Sequence, residues 1–207
     1  MVPQPFVDES GTMNALIALG SNVTSTFGPP IETLMHALAQ LESDSVQVLH
    51  TSRFFATPCM PKGAGPDYIN AAAHLRTSLG PEDLLGVLHA IEADFDRCRT
   101  NRWAARTLDL DLLDYAGLTH PDKAAFLHWQ TLPPEEQIKT APDRMILPHP
   151  RIQDRAFVLV PLADIAPEWR HPVLGVTVSR MIAALAPEDV ADVTPAPPPL
   201  ANTRITE

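Results

Sequence analysis

The chain has 207 residues, 45% of them hydrophobic and 19% charged, and its 15 Lys and Arg against 25 Asp and Glu leave a formal charge of −10. This composition suits one globular domain and excludes disorder throughout, while the acidic excess argues against a general nucleic-acid or anionic-membrane surface, because phosphate binding is driven by Lys and Arg. No window reaches the ~18 consecutive apolar residues of a membrane span, and the first residues carry neither a basic stretch nor a long apolar one, so a cytoplasmic location is expected, with Cys59 and Cys98 reduced and structural.

Taken in chain order, residues 1–12 are polar with two prolines and read as a disordered tail. Ala15 to Leu19 is a short apolar run that reads as a buried strand, and Gly20-Ser21-Asn22 reads as the tight turn that ends it. After Pro29-Pro30, the spacing of Ile31, Leu34, Met35, Leu38 and Leu41 predicts a helix. Val46 to Phe55 is β-branched and aromatic and is broken by Thr57-Pro58; Tyr68 to Leu75 follows the Gly63-to-Pro66 loop, so two strands are expected. Pro81, Glu82 and Asp83 open a second helix with Leu84, Leu85, Leu88, Ile91 and Phe95 on one face. Leu108-Asp109-Leu110-Asp111-Leu112 alternates strictly and predicts a strand. The resulting order βαββαβ is the α+β, ferredoxin-like pattern of helices layered on an antiparallel sheet. Phe157 to Ile165 and Val176 to Leu185 add C-terminal helices, and 187–207, rich in proline, reads as a second disordered tail. The domain is therefore expected over 13–186, with 116–141 an insertion loop longer than connections usually are.

Two clusters carry the chemistry. Asp109 and Asp111 leave the same strand face, roughly 6–7 Å apart, while the leucines between them point into the core. Two convergent carboxylates suit Mg²⁺, a hard cation that keeps several waters and takes the rest of its shell from carboxylates and substrate phosphates. Taken alone, an Asp-x-Asp pair is also what any solvated strand face carries. Just upstream, Arg97, Arg99, Arg102 and Arg106 gather four of the fifteen basic residues within ten positions, and Arg is built for bidentate phosphate recognition. Arginines beside carboxylates point to a nucleotide triphosphate with magnesium; ion pairing of the same arginines with Asp94, Asp96 and Asp109 is the plainer alternative. Pro148-His149-Pro150-Arg151 with Arg155 adds an imidazole and two guanidiniums on a stiff loop.

These residues together resemble a known family. Gly20-Ser21-Asn22, Thr57-Pro58, Asp67 to Ala72, Ile91-Glu92, Arg102-Trp103-Ala104-Ala105-Arg106-Thr107-Leu108-Asp109-Leu110-Asp111, Leu147 to Arg151, and Arg155-Ala156-Phe157 look like 6-hydroxymethyl-7,8-dihydropterin pyrophosphokinase of the folate pathway, in the right order from about Ala15 to about Leu185. The resemblance implies transfer of the β,γ-pyrophosphoryl group of ATP to the pterin hydroxymethyl oxygen, leaving AMP. It implies that Asp109 and Asp111 hold two Mg²⁺ ions, that Arg97 and Arg106 neutralise the transferring phosphates, and that His149 hydrogen-bonds a phosphate oxygen. Arg99, Arg144 and Arg155 would contact ATP, with His89 near the nucleotide where the family commonly has glutamine. The pterin would lie between Tyr68 and Phe157, read by Asn70 and by the chain around Thr57, Pro58 and Met60, with Trp103 closing over the bound substrates. The family usually has Gly-Pro where this chain has Ala104-Ala105, and Glu92 matches a family position with its role open between structure and substrate.

The expected partners are these two small-molecule substrates, with no nucleic acid, no membrane and a monomeric state. Two other readings differ in class. A ferredoxin-like sheet can bind RNA through exposed aromatics, which the acidic charge and the lack of an aromatic RNA-binding strand motif oppose. A non-catalytic pterin or ATP sensor would have no need of the paired carboxylates.

Overall fold

A computed structural model of the chain describes residues 11–59, 61–95 and 107–197. Its elements run β1 (Met13–Ser21), α1 (Pro30–Leu41), β2 (Val46–Thr51), β3 (Phe55–Thr57), β4 (Tyr68–Thr77), α2 (Pro81–Asp94), β5 (Asp109–Tyr115), α3 (Lys123–Thr131), α4 (Pro134–Lys139), a 3₁₀ turn (Ile152–Asp154), α5 (Ala156–Ile165), α6 (Val178–Ile182), α7 (Pro187–Ala191) and β6 (Thr194–Pro195). The sheet is antiparallel in the order β5-β1-β4-β3-β6, with β2 also on β4. The βαββαβ core expected from the periodicities is thus present. None of the described helices is long and apolar enough to cross a membrane.

β1 lies at the centre, buried from Ala15 to Ser21 on both faces, which is why it reads as an unbroken apolar run. One face packs under α1 and α2 through Ile17, Leu19, Leu34, Leu41, Leu75, Leu84, Leu88, Phe95 and Leu110. The other packs under α5 and α6 through Leu16, Ala18, Ala72, Leu113, Val158, Leu159, Leu162 and Met181. Pro30 and Pro81 occupy the first helical turns of α1 and α2, where a missing N–H costs nothing.

Several expectations need correction. Met35, placed on the inner face of α1 by its spacing, is 45% exposed; Thr33 and Ala37 are buried instead. Gly20 and Ser21 are the last residues of β1 rather than a turn. The single strand expected from Val46 to Phe55 is two, because the register of β2 on β4 slips between Val48 and His50, and the Ser52 hydroxyl takes the Ala72 N–H at 2.9 Å. Within the 116–141 insertion lie two helices, α3 capped by Asp122 on the Ala125 N–H and anchored by the fully buried Phe126. Nor is 187–197 a disordered tail: it holds α7 and β6, because Val193 finds apolar cover at the sheet edge. Cys59 is a free, buried thiol, and Cys98 lies outside the described residues.

Candidate active site

Strand pairing brings the expected site together at one end of the sheet. Gly20 of β1 is opposite Asp109 on one side and Asn70 on the other, and Ala18 is opposite Asp111 and Ala72. Asp109 and Asp111 are half-buried on the α5 side, with Leu110 between them in the opposite core. Alternation continues through Leu113, which faces the α5-side core after Leu112 in the other, and breaks at the bulge opposite Leu16 and Ile17, beyond which Tyr115 returns to the core of Leu112.

A cleft of about 250 Å³, open to solvent, is lined by Ala18, Gly20, Asn70, Asp109, Asp111 and Phe157, with Leu19 and Val158. Its floor is almost free of side chain. A Cβ on Gly20 would come within 3.2 Å of the Asn70 side-chain oxygen, so glycine here is what lets the Asn70 amide and Asp109 share one wall. The Asn70 amide donates to Thr57 Oγ1 at 2.7 Å, which fixes which end of the amide is left for a ligand. Phe157, at the start of α5, is 41% exposed and so is no part of the core; the Arg155 guanidinium lies 5.7 Å from its ring centre. Tyr68 is half-buried on the same face of β4 as Asn70, and Pro58 is half-buried beside the buried Thr57.

The loop after α4 is tied back onto β5: the His149 N–H donates to the Leu113 carbonyl at 2.8 Å. The Arg151 N–H donates to His149 Nδ1 at 3.1 Å, so the neutral ring carries its proton on Nε2 and presents a donor. Burial, with the Arg155 guanidinium adding to it, pushes the His149 imidazole down to about 3, keeping it neutral at physiological pH. Arg155 reaches Asp111 at 3.9 Å with both side chains partly exposed. That is a loose pair, open to insertion of an anion or a cation between its members.

The segments flanking the cleft are latched by the last residue of β1 and the one that follows it. Ser21 Oγ donates to the Thr107 carbonyl at 2.6 Å, and the Asn22 amide donates to the Pro66 carbonyl at 3.2 Å. Glu92, 2% exposed on α2, accepts the N–H of Leu110 at 2.9 Å, so a buried carboxylate holds the backbone between the two aspartates. Glu92 thus has a structural role in placing the pair. The Gly20 role and this backbone contact were missed in the sequence; both depend on which strands and helices become neighbours, and neither leaves a local signature.

Not every expected residue is brought to the cleft. Arg144 is exposed and forked onto its neighbour Asp143 at 3.1 Å, and His89 is exposed on α2. Met60, Arg97, Arg99, Arg102, Trp103 and Arg106 lie outside the described residues, as do Ala104 and Ala105. Among the described residues no group of three or more His, Cys, Asp or Glu could enclose a metal by itself. Asp109 and Asp111 suit an ion that draws its remaining ligands from water and phosphate.

The family model for 7,8-dihydro-6-hydroxymethylpterin-pyrophosphokinase (HPPK) matches residues 16–167. The 2-amino-4-hydroxy-6-hydroxymethyldihydropteridine pyrophosphokinase of Synechocystis sp. is 38% identical over 174 residues, covering 81% of this chain and 74% of that protein. The Folic acid synthesis protein fol1 of Pneumocystis carinii is 30% identical over 179 residues, 86% of this chain but 21% of its own length. A crystal structure of a Plasmodium falciparum HPPK-DHPS triple mutant superposes with a TM-score of 0.59 at 18% identity, over 85% of this chain and 44% of the Plasmodium chain, which speaks to the fold.

Proposed function

The chain belongs to the 7,8-dihydro-6-hydroxymethylpterin-pyrophosphokinase family, and from that premise we infer that it transfers the pyrophosphoryl group of ATP to 6-hydroxymethyl-7,8-dihydropterin in folate biosynthesis. It is an ATP-dependent diphosphotransferase. The observation that carries the residue assignment is the cleft itself, where paired carboxylates, an amide and an exposed aromatic ring line one concavity.

In this reading the pterin enters beside Phe157 and Tyr68, stacking a flat heterocycle on ring faces, while the Asn70 amide and the backbone after Thr57 meet its hydrogen-bonding edge. The open side of Gly20 leaves room for the hydroxymethyl group to approach Asp109 and Asp111. The two aspartates would hold the Mg²⁺ ions, a pair in our assignment, whose chemistry when bound is to neutralise phosphate charge and orient the oxygens of an in-line displacement. Arg155 and the Nε2–H of His149 face the same phosphates from the loop side, and a neutral imidazole serves there as a hydrogen-bond donor rather than as a base. Arg97, Arg99, Arg106 and Trp103 complete the nucleotide side by family correspondence, with Arg144 and His89 at its margin.

The hydroxymethyl oxygen forms a bond to the β-phosphorus, the bond from that phosphorus to the α–β bridging oxygen breaks, AMP leaves with the electron pair, and the hydroxyl proton is released. Catalysis of this kind is positioning and charge stabilisation, and no covalent nucleophile is required. The test is the product: with the pterin and Mg-ATP, the released nucleotide is AMP and γ-phosphate label appears in a pterin diphosphate ester. ADP, a pterin monophosphate, or ATP consumption independent of pterin would overturn the assignment.

A further inference from the structure

The segment 187–197 braces the far edge of the sheet. β6 pairs with β3 through Pro195 opposite Phe55 and Thr194 opposite Ala56, and the Ala196 N–H donates to the Phe54 carbonyl at 2.8 Å. Val193, 9% exposed, forms a small apolar cluster with Phe55 and Ala156, supported by Val160 and Leu185. Asp192 holds the Lys62 ammonium at 2.6 Å. Lys62 belongs to the loop between β3 and β4, which the Cys59 thiol closes by accepting the Gly65 N–H and donating to its carbonyl, both at 3.0 Å.

These contacts fall within one to four residues of a wall of the cleft. Phe55 precedes Thr57, the partner of Asn70; Ala156 precedes Phe157; Lys62 follows Thr57-Pro58. β3 is three residues long and would otherwise be a free edge, and short unpaired edges fray. The carboxylate pair, by contrast, is on β5 at the opposite edge of the sheet. We propose that 187–197 is a positioning element for pterin binding: by joining β3 to the start of α5 it holds the two sides of the pterin cleft at their working separation, with Val193 and Ala196 as its positioning residues and the nucleotide side independent of it. A wall already held in its binding conformation loses less freedom when the ligand arrives, so the brace acts on pterin affinity. The proposal rests on the reading of the cleft as the pterin site.

The experiment uses the full chain with Val193→Asp, which charges the apolar cluster, and separately Ala196→Pro, which removes one donor to Phe54 and little else. Dissociation constants for the pterin and for an unreactive ATP analogue with Mg²⁺ are measured below the melting temperature, with KM for each substrate and kcat. Both variants should weaken pterin binding and raise pterin KM by about tenfold, roughly a 1.4 kcal/mol loss. Their ATP-analogue affinity should stay within about twofold of the parent, with kcat at saturating pterin largely retained. Lys62→Ala, which removes only an exposed ion pair, should shift pterin binding less than either. A lowered melting temperature with unchanged pterin affinity in Ala196→Pro, or equal weakening of both ligands, would overturn the brace alone. A parent chain that fails to bind pterin would overturn the reading of the cleft and the brace with it.

Discussion

Asp109 and Asp111 differ from an ordinary wet strand face in what surrounds them. Across the sheet stand Gly20 and Ala18, the smallest residues available, and above them an exposed Phe157 and a guanidinium 3.9 Å from Asp111. Replacing either aspartate with Asn keeps volume and leaves the backbone contact from Glu92 intact, so the ligand-free melting curve should be unchanged. Turnover should fall by at least ~10²–10³, the scale of losing a main electrostatic stabiliser in phosphoryl transfer. Steady-state assay at saturating Mg-ATP checks this, and near-normal rates in both variants would return the pair to the status of a solvated face. The pair itself was legible because a strand has period two and shows same-face residues in the one-dimensional string. The convergence of His149 and Arg155 on it was legible only through the family likeness, since it depends on one hydrogen bond from the His149 N–H to the Leu113 carbonyl, a link between segments that periodicity does not connect.

Elements with a regular apolar stripe were readable, and those with a single anchor were not. α2 announces itself through Leu84, Leu88, Ile91 and Phe95, all buried as spaced. α3 hides because Phe126 is its one fully buried side chain while Leu127 is 38% exposed, so nothing repeats. The same logic hid β6, two residues long and containing a proline that an edge strand tolerates. Phe126 nonetheless holds the insertion to the domain: its ring meets that of the buried His171 edge-on at 5.1 Å, and His171 in turn neighbours Trp169 at 5.6 Å. Phe126→Ala should therefore cost about 3–5 kcal/mol, as for other buried aromatic deletions, and lower the melting temperature by on the order of 10 °C. Residual activity at low temperature should persist, because the anchor touches nothing in the cleft. A melting temperature within about a degree of the parent would mean that α3 contributes no packing.

At the scale of the whole molecule, two buried titratable groups beneath the insertion oppose one another as pH changes. Asp114, 4% exposed, accepts from the Gly117 N–H, and burial raises its carboxyl to about 6. His171, with no exposed surface, accepts from the N–H groups of Val173 and Leu174 on Nδ1, and burial lowers its imidazole to about 4. A carboxyl whose folded value lies above its unfolded one favours the fold below about pH 4, and that stability is lost as pH rises through 6. An imidazole whose folded value lies below its unfolded one favours the fold above about pH 6.5, and that stability is lost as pH falls through 4. Between pH 4 and 6.5 the two slopes have opposite sign, so the parent chain conceals both. Single variants should separate them in denaturant titrations read as variant minus parent across pH 4–8. Asp114→Asn should gain on the parent as pH rises from 4 to 6, by about 3 kcal/mol at most, and His171→Gln should gain by a similar amount as pH falls from 6.5 to 4. Subtracting the parent removes the contribution of every other group, the depressed His149 included. Two difference curves flat in pH, or sloping the same way, would show that neither side chain carries its burial into the stability of the fold.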